Sequence, residues 1–324
     1  MARYQVLVTD SVFPSLDPAV ETLSRVGAEV TLAPAPTRDV LRELGRQADG
    51  LLVTYAQITR EVIQGLHRCR IIARFGIGVD NIDVAAATER GIVVTNVPDY
   101  CIDEVSDHAL ALILALVRKI CTANSHVQAG RWDLTPLVPI PRLRGKILGL
   151  IGFGKIPRAL TPKAQAFGLH VLAFDPYVPA DTMAQLGVEK VELTDLLARS
   201  DIISIHAPLT AQTRHLLNAE PLRCIKPGAI LVNTARGPLI DEQALVDVLE
   251  EGRLAGVALD VLETEPPPTD HPLRGRDNVI LTPHMAFYSE EALVELQTKA
   301  AEEVMRVLSG ESPRYPVNPE VLNS

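Results

Sequence analysis

Several features that mark membrane, secreted or nucleic-acid-binding proteins are missing from this sequence. Its 324 residues carry a net charge of −9 and show no basic patch, which argues against a nucleic-acid partner. The most apolar stretch, Ala109 to Val117, is shorter than the roughly 20 residues that a membrane helix needs. The N-terminus has no basic segment followed by a long apolar one, so we expect no signal peptide.

Aromatic residues and cysteines are also scarce. The four cysteines, at positions 69, 101, 121 and 224, form no Cys-x-x-Cys pair and have no metal-ligand spacing with histidine. We therefore predict a reduced, cytoplasmic protein without a metal site. Hydrophobic residues make up 47% of the chain and charged residues 22%, which is ordinary for a soluble α/β protein. The length favours two domains.

Short runs rich in Val and Ile recur along the chain, each followed by a longer helix-like segment. This alternation predicts an α/β protein with two Rossmann-like, doubly wound parallel sheets. The second half contains six of these runs, the number expected of a dinucleotide-binding sheet. The predicted strands are Gln5 to Thr9, Glu29 to Ala33, Gly50 to Thr54, Ile71 to Phe75, Ile92 to Thr95, Lys146 to Ile151, His170 to Phe174, Asp201 to His206, Ala229 to Asn233, Gly256 to Leu259 and Asn278 to Leu281.

Three segments outside the strands carry specific expectations. Ile102 to Ala123 is largely apolar and predicts one long helix that joins the two domains. Gly130 to Gly145 is rich in Pro and Arg and has no periodicity, which suggests an extended arm packed on a partner subunit. Ser289 to Leu308 has a helical apolar stripe, and we expect the acidic residues between the stripe positions to form a solvated face.

A glycine-rich turn follows the strand that ends at Ile151 and leads into a helix expected to run through Phe167. Such a turn brings the backbone close to a pyrophosphate, whose charge meets the N–H groups at the helix N-terminus. Pro157 replaces the third glycine of the fingerprint, and we expect it to alter helix packing more than pyrophosphate binding. The predicted pyrophosphate contacts are Gly152, Phe153, Gly154, Lys155 and Ile156.

The next strand ends at an acid, Asp175. A carboxylate at this position accepts hydrogen bonds from a ribose diol and repels a 2′-phosphate, which favours NAD over NADP. A Gly-x-Gly pair alone is usually only a turn. The strand before it, the helix after it and the acid at the next strand end together indicate a cofactor site.

Charged residues follow three later strands. Ligands of an open parallel sheet bind at the carboxyl ends of its strands, so Arg236, Asp260, Glu265 and His284 should share one rim. Reduction of a 2-keto acid needs a cation that holds the carboxylate and an acid that protonates the alkoxide. Arg236 and His284 suit these tasks, and Glu265 would orient the imidazole and stabilise its charged form. Singly, each of these residues has an ordinary alternative as a surface charge, a loop residue or a structural histidine.

Other strand ends leave alternatives open. For His206 a structural role is favoured, in which its imidazole forms a hydrogen bond with neighbouring backbone. Ala207 and Pro208 would then line the adenosine side of the cofactor site. His67, His108 and His271 lack a matching partner in the sequence. The segment from Phe75 to Val79, with its two glycines, predicts either a carboxylate-binding nest or a tight turn. Thr54, Tyr55 and Ala56 are candidates for reading the substrate side chain.

Taken together, these motifs resemble the D-isomer-specific 2-hydroxyacid dehydrogenase family over nearly the whole chain. The departures are Pro157, and Ser106 and Asp107, where Ala and Glu are commoner. The matching motifs are RFGIGVDNID (74–83), GIVVTNVP (91–98), VSDHALALILAL (105–116), the glycine turn, HAPLT (206–210), NTARG (233–237), 260–266 and 282–284.

This resemblance implies a split substrate domain of flavodoxin-like fold, residues 1–100 and 290–324, with an NAD-binding Rossmann domain, 101–289, inserted between its parts. It also implies a homodimer joined around the long helix and the arm. It assigns substrate binding to Arg236, proton transfer to His284 and partnership with His284 to Glu265. Ile77 and Gly78 would hold the substrate carboxylate beside Tyr55 and Ala56, and Asp260 would lie near the nicotinamide amide. The remaining cofactor contacts implied are Pro176, His206, Thr213, Thr234 and Ala235.

The resemblance gives a reaction type and leaves the substrate open. We expect hydride transfer between NAD(H) and a small D-2-hydroxy or 2-keto acid of the glyoxylate, hydroxypyruvate, D-lactate or 3-phosphoglycerate type. A second possibility rests on residues 284–292 (HMAFYSEEA), which are similar to the C-terminal binding proteins, NAD(H)-sensing transcriptional corepressors. The intact catalytic residues favour the enzyme.

Overall fold

The computed structural model describes residues 2–323, which contain twelve strands and twelve α-helices. The strands are β1 (Tyr4–Val8), β2 (Ala28–Leu32), β3 (Gly50–Val53), β4 (Ile71–Arg74), β5 (Val93–Thr95), β6 (Ile147–Ile151), β7 (His170–Phe174), β8 (Val188–Lys190), β9 (Ile202–Ile205), β10 (Ala229–Asn233), β11 (Leu254–Leu259) and β12 (Val279–Leu281). The helices are α1 (Asp17–Ser24), α2 (Arg38–Gly45), α3 (Arg60–Gln64), α4 (Val84–Glu89), α5 (Ile102–Val117), α6 (Ile120–Gln128), α7 (Lys155–Ala166), α8 (Ala180–Ala184), α9 (Leu193–Arg199), α10 (Ala219–Cys224), α11 (Glu242–Glu250) and α12 (Glu290–Leu308).

The chain divides into two compact units. The terminal unit is the described part of Met1–Tyr100 together with that of Ser289–Ser324, and the central unit is Cys101–Tyr288. Each unit contains a parallel sheet flanked by helices, so the predicted fold class is confirmed. No helix within residues 2–323 is long and apolar enough to cross a membrane.

The terminal unit contains a five-stranded parallel sheet in the order β2-β1-β3-β4-β5. Its inner strands β3 and β4 are buried along their whole length, as expected for strands covered by helices on both faces. Leu51, Ile63 and Ile72 lie in its core. Helix α12 packs against α1 and β4, so the last part of the chain completes this unit. Ser289 caps α12, since its hydroxyl accepts a hydrogen bond from the Ala292 N–H.

The central unit contains a seven-stranded parallel sheet in the order β12-β11-β10-β9-β6-β7-β8. Apolar side chains cover both faces, with Leu196, Leu231 and Leu245 in one cluster and Phe153 and Leu160 in another. The prediction of six strands was wrong by one, because β8 at the sheet edge was missed. This strand has three residues, Val-Glu-Lys, of which only Val188 is buried, so it leaves no apolar run in the sequence.

The predicted single helix from Ile102 to Ala123 is two helices, α5 and α6. Lys119 separates them because it adopts the left-handed conformation, with φ of 52°, which cannot continue a right-handed helix. The arm after α6 is irregular, as its composition predicted, apart from a short 3₁₀ turn at Thr135–Leu137.

The expectation of a solvated acidic face on α12 was wrong for Glu303, which is only 1% exposed. Its carboxylate accepts hydrogen bonds from the backbone N–H groups of Arg314 and Tyr315, at 2.8 and 3.2 Å. Burial raises the pKa of this carboxyl above its usual range, although the two N–H groups and nearby arginines oppose the shift. Glu303 therefore fastens the chain after α12 to the helix.

Candidate active site

The glycine turn after β6 is built by two glycines with different roles. Gly152 has φ of 91°, and a Cβ there would lie 2.9 Å from Ala207 N and from the His206 carbonyl carbon, so the close approach of two strand ends requires glycine. Gly154 caps α7, and a Cβ there would meet nothing within 4 Å. The open space lies at a helix N-terminus, where N–H groups and the helix dipole favour an anion. This arrangement fits a pyrophosphate.

Asp175, directly after β7, is held beside that turn. One carboxylate oxygen accepts a hydrogen bond from Phe153 N–H at 2.9 Å, and the other accepts from Tyr177 and Val178 N–H at 2.8 and 3.2 Å. A carboxylate has about four lone-pair positions, so it can also accept from a ribose hydroxyl. The predicted pyrophosphate turn and the predicted ribose acceptor are therefore in direct contact.

Pro157 lies in the first turn of α7, where it is buried. Its missing N–H has no intrahelical partner at this position, so the helix forms around it. Thr161 Oγ1 donates a hydrogen bond to the Pro157 carbonyl oxygen at 2.8 Å. A second proline, Pro162, stands inside the helix and was not recognised from the sequence.

His206 follows β9 and is half-buried. The expected bond from its imidazole to backbone was wrong: the Ser204 hydroxyl lies 2.9 Å from its Nε2 and shares a hydrogen bond with it. Burial lowers the pKa of His206 to about 4, so the ring is neutral at physiological pH. The loop after it is closed by Thr213, whose Oγ1 donates to the Pro208 carbonyl oxygen at 2.7 Å.

Arg236 lies just after β10, in a loop organised by Asn233. The Asn233 side chain accepts a hydrogen bond from Ala235 N–H at 2.9 Å and donates one to the Arg236 carbonyl oxygen at 2.8 Å. Between them, Thr234 is 9% exposed, and its buried hydroxyl has no hydrogen-bond partner within the described chain. A buried hydroxyl without a partner is unfavourable, so Thr234 fits a bound ligand that completes its hydrogen bonding.

Glu265 and His284 form a direct pair. His284 Nδ1 lies 2.7 Å from one carboxylate oxygen of Glu265, while the Leu262 N–H donates to the other at 2.9 Å. Burial alone would raise the pKa of Glu265, but the His284 hydrogen bond and charge, the Leu262 N–H and the Arg236 charge together lower it below its ordinary value. Glu265 is therefore a carboxylate at neutral pH.

The backbone of His284 is held in an uncommon conformation. Its φ is 51°, in the left-handed region that residues other than glycine seldom adopt. Its N–H donates to the carbonyl oxygens of Asp260 and Thr282, at 2.8 and 3.0 Å. Backbone strain of this kind persists where the surroundings fix it, and it is concentrated at functional sites.

Asp260, after β11, holds the loop that carries His284. Its buried carboxylate accepts hydrogen bonds from Thr282 Oγ1 at 2.6 Å and from the N–H groups of Met285 and Ala286, both at 2.9 Å. His108 Nε2 on α5 lies 3.2 Å from Thr282 Oγ1. The expectation that His108 lacks a partner was wrong, since the partner lies far away in the sequence. The structure thus brings Arg236, Asp260, Glu265 and His284 together at one rim.

The residues predicted to contact substrate lie in the terminal unit, in two loops held by polar side chains. Asp10, two residues after β1, accepts hydrogen bonds from Thr54 and Tyr55 N–H at 3.1 and 2.6 Å. Asn81 donates to the Ala56 carbonyl oxygen at 2.9 Å. The roles of Asp10 and Asn81 were not predicted from the sequence, although Asp10 directly follows the predicted strand Gln5 to Thr9.

Asn96 supports the second loop, since its side chain donates to the Ile77 carbonyl oxygen at 2.7 Å. Because the peptide group is planar, this bond turns the Gly78 N–H to the opposite side of the chain. That N–H is thereby fixed in direction, as a nest for a carboxylate requires.

Comparison with known proteins places these observations in a family. Residues 110–286 match the model of the D-isomer specific 2-hydroxyacid dehydrogenase NAD binding domain. D-3-phosphoglycerate dehydrogenase of Methanocaldococcus jannaschii is 42% identical over 97% of this chain, which spans 59% of that protein's length. Glyoxylate reductase of Thermofilum pendens is 40% identical over 99% of this chain and 96% of its own length.

A solved structure gives the same result at the level of the fold. D-lactate dehydrogenase of Aquifex aeolicus, complexed with NAD and lactic acid, superposes with a TM-score of 0.85 and 29% identity, over 95% of this chain and 96% of its own. The matching sequences, the parallel sheets and the cofactor turn agree. This chain therefore belongs to the D-isomer-specific 2-hydroxyacid dehydrogenase family, and its central unit contains the NAD-binding domain of that family.

Proposed function

We propose that this chain is an NAD-dependent oxidoreductase that transfers a hydride between NAD(H) and a small D-2-hydroxy or 2-keto acid. The substrate is of the glyoxylate, hydroxypyruvate, D-lactate or 3-phosphoglycerate type. The observation that carries the proposal is the 2.7 Å pair of His284 and Glu265 at the rim that also carries Arg236. Named relatives that are reductases and dehydrogenases of such acids support it.

Bound NADH would supply the hydride, and Arg236, Glu265 and His284 would each have a separate task in the reaction. The planar guanidinium of Arg236 pairs with the substrate carboxylate and polarises the neighbouring carbonyl group. Since Nδ1 of His284 is bonded to Glu265, the proton that moves to the new alkoxide comes from Nε2. The Glu265 carboxylate orients the ring and stabilises its charged form.

The central unit is proposed to bind NAD, and Asp175 is proposed to select it over NADP. The turn from Gly152 to Ile156 would hold the pyrophosphate, and Asp175 would accept from the adenosine ribose and repel a 2′-phosphate. The unpartnered Thr234 hydroxyl supports a ligand beside Ala235. The other proposed cofactor contacts are Pro176, His206, Ala207, Pro208, Thr213 and Asp260.

The terminal unit is proposed to bind the substrate through Tyr55, Ala56, Ile77 and Gly78. The Gly78 N–H, whose direction Asn96 fixes, would donate a hydrogen bond to the substrate carboxylate. The loop of Tyr55 and Ala56, held by Asp10 and Asn81, would contact the substrate side chain and so set its size.

We propose a cytoplasmic homodimer joined through α6 and the following arm. Large apolar side chains there are exposed: Trp132 at 90%, Leu134 at 63%, Ile120 at 55% and Val138 at 53%. Apolar patches of this kind mark protein interfaces. Light scattering on the purified protein tests the dimer, and a monomer at micromolar concentration would contradict it. The thiols of Cys69, Cys121 and Cys224, which form no disulfide, support a reducing compartment.

An NADH-oxidation screen tests the proposed function. Glyoxylate, hydroxypyruvate, pyruvate and 3-phosphohydroxypyruvate are each added to the protein with NADH, beside the His284→Gln variant. We expect turnover of at least one acid by the native protein and almost none by the variant. Binding of NADH without turnover of any acid would contradict the enzyme, whereas the corepressor further requires that NAD(H) promotes dimerisation and that a partner peptide binds the smaller domain.

A further inference from the structure

The loop that carries Glu265 has a second acid–histidine pair behind it, formed by Glu242 and His271. Glu242 begins α11, and one of its carboxylate oxygens lies 3.1 Å from His271 Nε2. The side chains of His271 and Glu242 are 7% and 17% exposed, so this pair is more deeply buried than His284 and Glu265. The expectation that His271 lacks a partner was therefore wrong.

The other carboxylate oxygen of Glu242 accepts a hydrogen bond from the Glu263 backbone N–H at 2.5 Å. Glu263 stands two residues before Glu265. The Glu242 N–H points back at the Glu263 carboxylate, at 3.4 Å, so the start of α11 and the loop contact each other reciprocally. The bond to Glu242 fixes the backbone at Glu263, between Leu262 and Glu265, whose own hydrogen bond joins the Leu262 N–H to the Glu265 carboxylate.

The hydrogen bonds of His271 explain why Glu242 is held in one orientation. His271 Nδ1 accepts from the Leu273 N–H at 3.4 Å, so the ring proton lies on Nε2, where it donates to Glu242. His215 also lies beside the loop, with its Nε2 2.8 Å from the Glu263 carboxylate but in a geometry that makes no hydrogen bond. Glu242 is thus the side chain that anchors the loop backbone through a directed bond.

A second contact limits the movement of the same loop. A Cβ on Gly237, the residue after Arg236, would clash with the Leu262 carbonyl group. The loop therefore rests against the segment that carries Arg236 on one side and is tied to α11 on the other. Because the loop is fixed at both sides, it can keep the Glu265 carboxylate 2.7 Å from His284 Nδ1.

We propose that Glu242, oriented by His271, is a positioning residue that sets the geometry of Glu265 against His284. This inference rests on the proposed function, because it assigns Glu242 an effect on proton transfer. Glu242 acts through the loop backbone, by its bond to the Glu263 N–H. Removing it should displace Glu265, while Arg236, whose own loop is held by the side chain of Asn233, and the cofactor turn stay in place.

A double-mutant cycle tests this role in the full-length enzyme. Since misplacement by about 1 Å can lower a rate about 100-fold, we expect Glu242→Ala to reduce kcat about 30-fold while KM changes less than about threefold. On a Glu265→Gln background, the same substitution should lower kcat by less than about threefold, because both changes disable one contact. Full multiplication of the two losses would overturn the proposal.

Two matched variants separate positioning from general damage. Glu242→Gln keeps an oxygen that accepts from Glu263 N–H but turns its NH2 group towards the His271 Nε2–H, so it should lose part of kcat and clearly less than Glu242→Ala. Glu250→Ala removes a 61%-exposed carboxylate from the other end of α11 and should leave kcat unchanged. Equal losses of kcat in Glu242→Gln and Glu242→Ala would contradict the anchoring role.

Amide hydrogen exchange tests the same inference without substrate, and so independently of the proposed function. We expect exchange in the segment 260–268 to be about tenfold faster in Glu242→Ala than in the native protein, with the other peptides unchanged. Unaltered exchange in this segment would overturn the proposal even if the enzyme is active. Faster exchange in a protein that reduces no 2-keto acid would reject the proposed function and keep the anchoring of the loop.

Discussion

The two ends of strand β9 carry ionisable residues in opposite situations. At the amino end, Asp201 is surrounded by donors: Lys226 at 2.9 Å, Lys146 at 3.1 Å and the Ile147 N–H at 3.0 Å. At the carboxyl end, His206 is neutral, with the Ser204 hydroxyl against one ring nitrogen. The carboxylate of Asp201 is thus paired with donors from the protein, whereas His206 carries no charge and shares its hydrogen bond with an uncharged hydroxyl.

The neighbouring strands repeat this difference. The carboxyl ends of β10 and β12 lead to the Thr234 hydroxyl without a partner and to His284 in a strained backbone conformation. Unsatisfied buried groups and strained backbone are concentrated at ligand and reaction sites. The comparison supports the proposed active site at the carboxyl-end rim, and it assigns the charge pairing of Asp201 to structure.

The largest effect should come from His284. We expect His284→Gln to lower kcat about 1,000-fold, since general acid catalysis contributes about 100- to 10,000-fold, with little change in KM. Steady-state kinetics with the best 2-keto acid measures this. If His284→Gln retained more than a tenth of native kcat, the proposed role of His284 as the general acid at the carboxyl-end rim would be contradicted.

Arg236 should give the next largest effect. Arg236→Lys keeps the charge but loses the planar fork that pairs with a carboxylate through two hydrogen bonds. We expect kcat/KM for the keto acid to fall about 100-fold, mostly through KM, while the Kd for NADH measured by fluorescence stays within about twofold. An equal loss of NADH affinity would assign Arg236 to the cofactor instead.

His206 predicts a pH dependence of stability. Burial lowers its folded-state pKa to about 4 from an ordinary value of 6.5, so the unfolded chain takes up the proton first as pH falls. Stability from this residue is complete above pH 6.5 and is lost as pH falls towards 4, by about 2 kcal/mol at pH 5. His206→Gln should remove this loss in urea unfolding measured at pH 5 and 7.5. An identical pH slope in the two proteins would contradict the assignment.

Asp201 should give the smallest effect and none on catalysis. Burial raises its pKa, but Lys226, the Ile147 N–H and Lys146 outweigh burial and lower the pKa below its ordinary value. Its stabilisation is therefore present above the ordinary carboxyl range and is lost as pH falls through the folded-state pKa. Asp201→Asn should lower the free energy of unfolding by about 1 kcal/mol at pH 7 and leave kcat unchanged. A tenfold loss of kcat would break the comparison between the two rims.

The residues at the carboxyl-end rim could be predicted from the sequence because their positions depend on local patterns. Buried parallel strands are continuous apolar runs, and the position of Arg236 or His284 directly after such a run places it at a carboxyl end. The glycine turn and Asp175 follow from the same rule. These features need no knowledge of contacts between distant parts of the chain.

The features that were missed depend on such distant contacts. His108 meets Thr282 from another element, and His271 meets Glu242 at a helix start, so neither partner can be read from spacing. Glu303 sits in an acidic helix and is buried only because the chain returns to bond it. Strand β8 has only three residues and no apolar run that would predict it. The break between α5 and α6 falls at Lys119 and not at a glycine, so the sequence does not indicate it.

Hydride transfer itself tests the account most directly. NADH that carries deuterium at both C4 positions is incubated with the protein and the best 2-keto acid, and the product is analysed by mass spectrometry and chiral chromatography. The account predicts one deuterium bonded to C2 of a D-2-hydroxy acid, formed by the native protein and almost absent with His284→Gln. A product without deuterium at C2, or equal formation by the variant, would contradict it.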